Sequence, residues 1–385
     1  MKIVGIICEY NPFHLGHARQ IRVIREHFGE ECAIVCLMSG NFVQRGAPAI
    51  LDKSLRAKAA VLSGADLVLE LPVTYALSSA EGFAAGGVSI LGGFCDYLCF
   101  GCESGSVDAL MDTSRALLSE AFPPLLRHRL EEGLSFPAAR AAALEDMGAD
   151  SGLLRNPNDI LGVEYCKAIL SQGCAMKPFP ILRRGDYHDE SPDPENPSAT
   201  ALRKLFLSGM DWSRYVPETA RPVFENVYLH TLDAGERAIL ARLRTMTDDE
   251  FEALPYGSEG LWRKFMHASR THATLEQILS ATKSKRYTRT RLDRMAMCAF
   301  LGITKQLLEE KAPYTRVLAF NDRGRAVVKA ARKTGLFLNA GEHHDSDYCR
   351  REFRMGDLYG LFTLHTPEAP GMEQRRRVYY HKEQP

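Results

Sequence analysis

At 385 residues the chain is long enough for two or three domains with hydrophobic cores of their own. Lysine plus arginine and aspartate plus glutamate both number 48, so the whole chain gives no electrostatic argument for a nucleic-acid partner. It has no long apolar run and no signal-peptide pattern, and its ten cysteines lie mostly in apolar stretches, as buried thiols do in a reducing compartment. These features predict a cytoplasmic protein with no membrane partner.

Short apolar runs alternate with helical patterns through the first half of the chain. The runs predict strands at 3–7, 33–38, 67–71 and 97–100, and the segments between them predict helices at 17–27, 53–63 and 79–91. Near-continuous apolar strands that alternate with helices are typical of a parallel sheet covered on both faces. We therefore expect a doubly wound α/β domain of Rossmann-like topology, whose ligands bind at the carboxyl ends of the strands.

The rest of the chain is mainly helical in pattern. Helices are predicted at 107–130, with a break at Pro123-Pro124, at 136–147, at 158–170, after a cap at Ser198, and at 236–246, 259–267, 275–282 and 325–334. Two further strands are predicted at 177–182 and 315–320. We place the domain boundary near 212–217, which gives an α/β domain at 1–215 and a mainly helical region with a small mixed C-terminal segment at 216–385.

The first predicted strand leads into Asn11-Pro12-Phe13-His14-Leu15-Gly16-His17, here called the first loop. It places two histidines and a glycine where a helix begins. Helix N-termini attract anions, and a glycine lets a phosphate approach the backbone. Two histidines three residues apart can also simply cap a helix. The pattern favours a nucleotide-phosphate site over capping alone.

The first loop resembles the histidine-x-glycine-histidine signature of the nucleotidylyltransferase superfamily. Ser198-Ala199-Thr200-Ala201-Leu202-Arg203 resembles the Ser/Thr-x-x-Arg signature of the same superfamily. Four segments, at 39–46, 100–101, 156–165 and 187–189, resemble the tRNA(Met) cytidine acetate ligase family, and the likeness extends over most of the chain. That family activates acetate with ATP as acetyl-adenylate. The acetyl group then passes to N4 of the wobble cytidine of elongator tRNA(Met), which gives N4-acetylcytidine.

The resemblance implies the site residues. His14 and His17 are expected to be catalytic, because attack of acetate on the α-phosphate builds negative charge that hydrogen-bond donors stabilise. The expected ATP site comprises Ile7, Cys8, Glu9, Tyr10, Asn11, Pro12, Phe13, His14, Leu15, Gly16, His17, Ala18, Arg19, Gln20, Gly101, Asn158, Arg183 or Arg184, Ser198 and Thr200. The resemblance favours Arg183 over Arg184. From the residues alone, Asn158 can equally be a helix cap and Arg183 a solvated charge.

Magnesium is expected as a companion of the ATP phosphates. No carboxylate stands out as its protein ligand, with Glu9 and Asp189 as the weak candidates. A different metal site is suggested by Cys95, Cys99 and Cys102, which have the spacing that holds an iron-sulfur cluster in radical S-adenosylmethionine enzymes. Because Cys99 falls within a predicted strand, extended backbone separates it from Cys95, and we expect no cluster there.

Cationic side chains are densest between residues 283 and 294. The residues expected to contact tRNA are Lys283, Lys285, Arg286, Tyr287, Arg289 and Arg291. Asp293 is the only acid in this stretch, so ion pairing within it cannot neutralise the excess charge. The alternative is a solvated helix face. Lys264 and Arg375 to Arg377 are among the residues that can extend the patch.

Two other functions explain part of the pattern. A small-molecule adenylyltransferase of cofactor biosynthesis accounts for the first-loop histidines but leaves 221–385 without a role. A nucleotide-sensing RNA-binding protein without turnover accounts for both the loop and the basic stretch. Acetate-dependent exchange between ATP and pyrophosphate distinguishes the ligase from the binding protein.

Overall fold

The computed structural model of the chain describes residues 1–182, 197–333 and 346–382. Within these ranges the strands are β1 (Ile3–Cys8), β2 (Ala33–Ser39), β3 (Phe42–Val43), β4 (Ala47–Pro48), β5 (Leu67–Leu71), β6 (Tyr97–Cys102), β7 (Lys177–Leu182), β8 (Arg316–Phe320) and β9 (Tyr379–Tyr380).

The helices of the N-terminal half are α1 (Leu15–Phe28), α2 (Lys53–Leu62), α3 (Val73–Ala76), α4 (Ala80–Leu91), α5 (Val107–Leu118), α6 (Phe122–Glu131), α7 (Phe136–Asp146), α8 (Pro157–Gln172) and α9 (Ala199–Ser208). Those that follow are α10 (Arg221–Phe224), α11 (Leu232–Thr245), α12 (Asp248–Glu252), α13 (Leu261–Thr271), α14 (Leu275–Thr282), α15 (Arg289–Leu301), α16 (Lys305–Glu309), α17 (Asp322–Arg332), α18 (Asp347–Tyr359) and α19 (Met372–Arg375).

Seven of the described strands form one sheet in the order β7-β6-β1-β2-β5-β8-β9. The first five of these run parallel, β8 pairs antiparallel with β5, and β9 pairs parallel with β8. The predicted doubly wound α/β fold is confirmed. The sheet is also wider than the sequence suggests, because β8 and β9, from the last quarter of the chain, join its edge.

Alternate residues of the central strands enter two separate cores. Val35 and Leu37 pack on one face of the sheet with α4 and α8, whereas Ile34, Cys36 and Met38 pack on the other with α1 and α2. Every residue of β2 and β5 is buried, because helices cover both faces. This explains why the strands are apolar without interruption.

A third core lies within the helical region. It joins side chains from α11, α13, α14 and α15, and it also takes in Phe42 and Leu77 from the N-terminal half. Two further bonds cross between the halves: Tyr256 donates to the Leu77 carbonyl at 2.7 Å, and Tyr359 donates to the Ala49 carbonyl at 2.8 Å. The helical region is thus packed firmly against the sheet domain. The division at residue 215 stays a prediction.

The predicted helix at 107–130 is in fact two helices, α5 and α6. The break falls at Ser119 to Ala121, and the two prolines occupy the first turn of α6, where their missing N–H groups cost nothing. Ser198 caps α9 as predicted, since its hydroxyl accepts a hydrogen bond from the Ala201 amide at 3.0 Å. The N-cap of α8, by contrast, is Asn156 and not Asn158.

A buried cluster of charged side chains holds the C-terminal segment on the sheet. Lys53 contacts Glu70 at 2.6 Å and Glu373 at 2.9 Å, and Arg316 contacts the same two carboxylates at 2.7 and 2.6 Å. Arg376 adds an ion pair with Asp52. We call these six residues the C-terminal ion cluster. Arg376 is only 14% exposed and paired with Asp52, and the expectation that Arg375 to Arg377 extend an RNA patch stays a prediction.

Candidate active site

The order of the parallel strands reverses between β1 and β6. From β1 the chain proceeds outward to β2 and β5, and it then returns to the other side of β1 to form β6 and β7. In open α/β sheets, ligands bind outside the carboxyl ends of the strands at such a switch point. The loops that follow β1 and β6 therefore border the expected crevice. They contain or contact most of the predicted ATP-site residues.

The two histidines of the first loop cap helix α1. The Nδ1 atom of His14 accepts a hydrogen bond from the Gly16 amide at 3.1 Å, and Nδ1 of His17 accepts one from the His14 amide at 3.2 Å. An imidazole nitrogen that accepts from an N–H carries no proton, so each neutral ring carries its proton on Nε2. The capping alternative is therefore observed. It also makes Nε2 of both rings a hydrogen-bond donor.

Aromatic packing fixes the orientation of these rings. His14 and His17 stack with centroids 3.7 Å apart and an interplanar angle of 24°. Tyr10 and Phe13 pack against His17 at centroid distances of 4.7 and 5.5 Å. Helix α1 has no acidic residue in its first turn, so its positive N-terminal dipole adds to the two donors. These features suit the loop to an anion, as predicted from the sequence.

The second signature is bonded to the first. Arg203, on α9, donates from Nη1 to the Asn11 carbonyl at 2.8 Å and from Nη2 to the Thr200 hydroxyl at 3.0 Å. The Asn11 side chain accepts from the Ile50 amide at 2.8 Å. Ser198 and Thr200 thus lie at the start of a helix that is fixed to the first loop. Arg203 is absent from the predicted ATP residues, although the Ser/Thr-x-x-Arg pattern itself pointed to it.

Sequence reasoning also missed Arg56, a fully buried residue of α2. Its guanidinium donates to the Glu9 carbonyl at 2.5 Å, to the Ser39 carbonyl at 3.1 Å, to the Leu51 carbonyl at 2.9 Å and to the Gly40 carbonyl. Burial lowers the pKa of Arg56, and the four backbone carbonyls accept hydrogen bonds from its guanidinium in place of water. Arg56 therefore fixes the ends of β1 and β2 beside the first loop. Nothing in the sequence distinguished it from a surface arginine.

The loop after β6 and the start of α8 bind each other reciprocally. Glu103 accepts from the Asn158 side chain at 2.6 Å and from the Asp159 amide at 2.9 Å, while Asp159 accepts from the Glu103 and Ser104 amides. Gly101 lies in β6 opposite Ile181 of β7. Asn158 and Gly101 are thus brought to the β6 side of the crevice. Their contact with ATP stays a prediction.

Arg183 and Arg184 lie outside the described residues, as does Asp189. Leu182, the last described residue before them, ends β7 on the side of the sheet where the other parallel strands have their carboxyl ends. The other candidate magnesium ligand, Glu9, accepts a hydrogen bond from the Gln44 amide at 2.8 Å. Among the described residues, no three His, Cys, Asp or Glu side chains converge to hold a metal ion. The described side chains therefore do not form a protein cage for magnesium.

Two of the three cysteines with cluster-like spacing are separated by the sheet. Cys95 packs in the core on one face, and Cys99, within β6, packs in the core on the other. Burial raises the pKa of the Cys99 thiol to about 12, so the thiol stays protonated and is a poor metal ligand. The predicted strand is therefore present and keeps the thiols apart.

The basic stretch follows α14 and comprises a turn and the start of α15. Lys283, Lys285 and Arg286 are exposed on this turn. Arg289 and Arg291 have protein partners instead: Arg289 binds the Glu276 carboxylate at 2.6 and 2.8 Å, and Arg291 binds the Tyr256 carbonyl at 2.8 Å.

Partners from outside the stretch correct the ion-pairing argument made from sequence. Glu276 approaches from α14, and Glu259 lies 3.3 Å from Arg286 and accepts from the Tyr287 hydroxyl at 2.9 Å. The count of acids within the basic stretch included only Asp293, because Glu276 and Glu259 lie outside that stretch. Lys264, a suggested extension of the patch, donates to the Lys283 carbonyl. The tRNA-contact assignments stay predictions, with the exposed turn as their strongest part.

A doubly wound sheet with a donor-bearing histidine pair at its switch point, bonded to a Ser/Thr-x-x-Arg helix, defines a nucleotidylyltransferase of the histidine-x-glycine-histidine class. Comparison with known proteins agrees: a family model described as HIGH Nucleotidyl Transferase matches residues 1–373. No helix that the structure describes is long and apolar enough to cross a membrane.

Comparison with curated relatives identifies the family within this class. The chain is 38% identical over 356 residues to a tRNA(Met) cytidine acetate ligase of Clostridium perfringens, a match that covers 86% of this chain and 88% of that protein. It is 37% identical to the enzyme of the same name from Alkaliphilus metalliredigens, over 88% and 87% of the two chains. The chain belongs to the tRNA(Met) cytidine acetate ligase family.

Solved structures show the same fold over the whole length. The apo structure of Thermotoga maritima TmcAL has a TM-score of 0.88 and 29% identity, with all of both chains covered. The structure of the same protein bound with alpha-thio ATP has a TM-score of 0.87 and 28% identity, again over all of both chains.

Proposed function

We propose that this chain is an ATP-dependent ligase that joins acetate to a cytidine of tRNA(Met). Its first step forms acetyl-adenylate and pyrophosphate, and its second transfers the acetyl group to N4 of the wobble cytidine of elongator tRNA(Met). The observation that carries the proposal is the capped histidine pair, which presents two donors where a nucleotide binds in this fold. The names of the curated relatives support the substrates.

In the first step, an acetate oxygen attacks the α-phosphorus of ATP. A new O–P bond forms, and the bond to the departing pyrophosphate breaks. Acetate is already an anion at neutral pH, so the step needs no general base; it needs donors for the charge on the phosphate oxygens and on pyrophosphate. The Nε2–H groups of His14 and His17 have that character. Each such donor contributes a factor of roughly 100 to 1000 in rate in comparable sites.

In the second step, the exocyclic amine of the cytidine attacks the acetyl carbonyl of the adenylate. The C–N bond forms, AMP departs, and the amine loses a proton. The amine is a poor nucleophile because its lone pair is delocalised into the ring, so it requires an activated acyl donor. This requirement explains why a tRNA-modifying enzyme is built on a nucleotidyl-transfer domain.

RNA recognition is assigned to the basic turn, which we define as residues 283–287. Its exposed Lys283, Lys285 and Arg286 suit phosphate contacts, and Tyr287 offers a ring for one unpaired base. Magnesium would arrive on the ATP phosphates, where it usually keeps most of its water ligands. A tRNA substrate and ten free thiols are in keeping with a cytoplasmic protein.

Exchange of labelled pyrophosphate into ATP tests the first step alone. We expect exchange that depends on acetate and does not require tRNA. A small-molecule adenylyltransferase would show no dependence on acetate, and a nucleotide-sensing RNA-binding protein would show no exchange. Neither alternative explains the family membership of the chain.

A further inference from the structure

A cleft of about 760 Å³ opens between two parts of the chain that are far apart in sequence. One wall is the α6–α7 hairpin, which we define as residues 122–146, and the other is the basic turn. Arg127 and Glu131 of α6 face Lys285 and Arg286 across this cleft. The sheet domain and the helical region therefore form one concave surface at this place.

The cations of the cleft differ from their neighbours in having few protein partners. Arg127 and Lys285 are exposed, and neither has a hydrogen bond or an ion pair with any residue that the structure describes. Arg129, two residues from Arg127, is bound by Asp146 and Glu132, and Arg289 is bound by Glu276. Protein carboxylates thus pair with Arg129 and Arg289 around the cleft and with Arg286 in its lining, whereas Arg127 and Lys285 have no such partner among the described residues.

The lining has the character of a surface for a sugar-phosphate chain. Three cations oppose one carboxylate, which gives a net positive field, and Leu130 and Leu134 supply apolar surface between them. At the α6–α7 turn, Gly133 has φ +87° and no atom lies within 4 Å of the position that a Cβ would occupy. The backbone there is open to a close approach from outside.

We propose that the RNA backbone of the substrate passes through this cleft, between Arg127 of the α6–α7 hairpin and Lys285 of the basic turn. This inference rests on the proposed function, because it takes RNA as the partner. It adds the α6–α7 hairpin to the RNA-contact surface. An acidic protein would fit the same charge, and the experiment below distinguishes the two.

Binding of an elongator tRNA(Met) transcript to Arg127→Gln, Lys285→Gln and the double variant tests the proposal. Both side chains are exposed, so the fold should remain in all three variants. Each single change should weaken binding roughly threefold to tenfold, and each should lower the slope of log affinity against log salt by about 0.7. Lys311→Gln, which removes an exposed lysine outside the cleft, is the matched control and should change neither quantity.

Glu131→Gln gives a test of opposite sign. Removing the only carboxylate among the described residues that line the cleft should tighten tRNA binding roughly threefold, an effect that damage to the fold would not produce. Unchanged affinity and salt slope in the double variant would overturn the inference and would leave an acidic protein as the partner that fits the charge of the cleft.

Acetate-dependent exchange in the same variants separates this inference from the proposed function. If the cleft acts only on RNA, exchange should remain at the wild-type rate while tRNA affinity falls. Absence of exchange in the wild type would contradict the ligase proposal without touching the binding result. Loss of exchange in Arg127→Gln would contradict the assignment of the cleft to RNA.

Discussion

At the scale of single residues, each histidine of the first loop has two nitrogen atoms with different duties. Nδ1 holds the start of α1, and the proton on Nε2 is directed away from that cap by the ring itself. The capping bonds fix the tautomer, so the two donors need no rearrangement when ATP binds. Preorganised donors of this kind are what phosphoryl chemistry demands.

Asparagine and glutamine can separate these two duties. An asparagine amide oxygen can replace Nδ1 as a cap acceptor, whereas a glutamine amide reaches the place of Nε2. His14→Asn and His17→Asn should therefore keep the melting temperature within a few degrees and lower acetate-dependent exchange by a factor of about 100 or more. Exchange is measured by label transfer and stability by thermal unfolding.

The matched variants His14→Gln and His17→Gln should show the reverse order, with more residual exchange and lower stability. Equal losses of exchange in the Asn and Gln variants would contradict separate functions for the two nitrogens.

Arg203 gives a second prediction at this scale. Lysine cannot bridge the Asn11 carbonyl and the Thr200 hydroxyl with one planar group, so Arg203→Lys should loosen the first loop. Loss of one charged hydrogen bond of about 1.5 kcal/mol should raise the KM for ATP about tenfold. Steady-state kinetics of exchange measure this, with Arg214→Lys, an exposed arginine, as control. A change in both variants alike would point to a general effect.

The first loop could be identified from sequence because the residues of its signature are adjacent in the chain. Arg56 could not, since its partners are the backbone carbonyls of residues up to 47 positions away. Backbone acceptors leave no side-chain pattern to recognise. The ion pair of Arg289 was missed because Glu276, which binds it, lies in α14, outside the basic stretch.

At the scale of elements, the strands were predictable because the buried parallel sheet makes them apolar without interruption. The strand β8 was predicted as well, but its place in the sheet was not. Its partner β5 lies about 250 residues earlier, and pairing at such a distance has no local signal. The C-terminal ion cluster depends on that pairing, since Arg316 of β8 binds both Glu70 and Glu373.

The cluster predicts how stability changes in acid. Burial alone would raise the pKa of Glu373, but Lys53, Arg316 and Arg376 outweigh it and lower the pKa to about 2. A carboxyl with a lowered pKa in the folded state stabilises the protein above its ordinary pKa of 4.5, and that stabilisation is lost as the pH falls towards 2.

Glu373→Gln should therefore be less stable at neutral pH, by about 3 to 5 kcal/mol, and should depend less on pH between 4.5 and 2. Denaturant unfolding across this range measures it, with the exposed Glu368→Gln as control. Parallel pH profiles for wild type and Glu373→Gln would show that the cluster does not titrate as described.

At the scale of the whole molecule, the backbones of the sheet domain and the helical region pack closely against each other at one position. Gly46, between β3 and β4, has φ +76° and lies against the backbone of Asp293 and Arg294 in α15. Any side chain at this position would overlap that backbone.

Gly46→Ala should therefore cost more than the strain of a left-handed backbone, which is about 1 to 2 kcal/mol. Gly29→Ala is the matched control, because Gly29 has φ +84° but no atom within 4 Å of its Cβ position. The difference between the two losses of unfolding free energy, measured by denaturant titration, reports the packing of the two regions. Equal losses would mean that the regions separate easily.

This arrangement supplies a physical reason for one chain to carry both steps. In the proposed function the adenylate forms at the switch point of the sheet, and the exposed cations that suit RNA lie where the helical region meets the α6–α7 hairpin. Because the two regions share a core, a tRNA bound to one is held in a fixed relation to the other. Activation and transfer can then follow without release of a reactive intermediate.

Transfer of labelled acetate to elongator tRNA(Met) is the most direct test of the central claim. Incubation of the purified protein with ATP and the transcript, followed by digestion to nucleosides, should give label only in N4-acetylcytidine at the wobble position. The label should depend on ATP and should disappear in His17→Asn. An enzyme that is folded and exchanges pyrophosphate, yet leaves the cytidine unlabelled, would contradict the account.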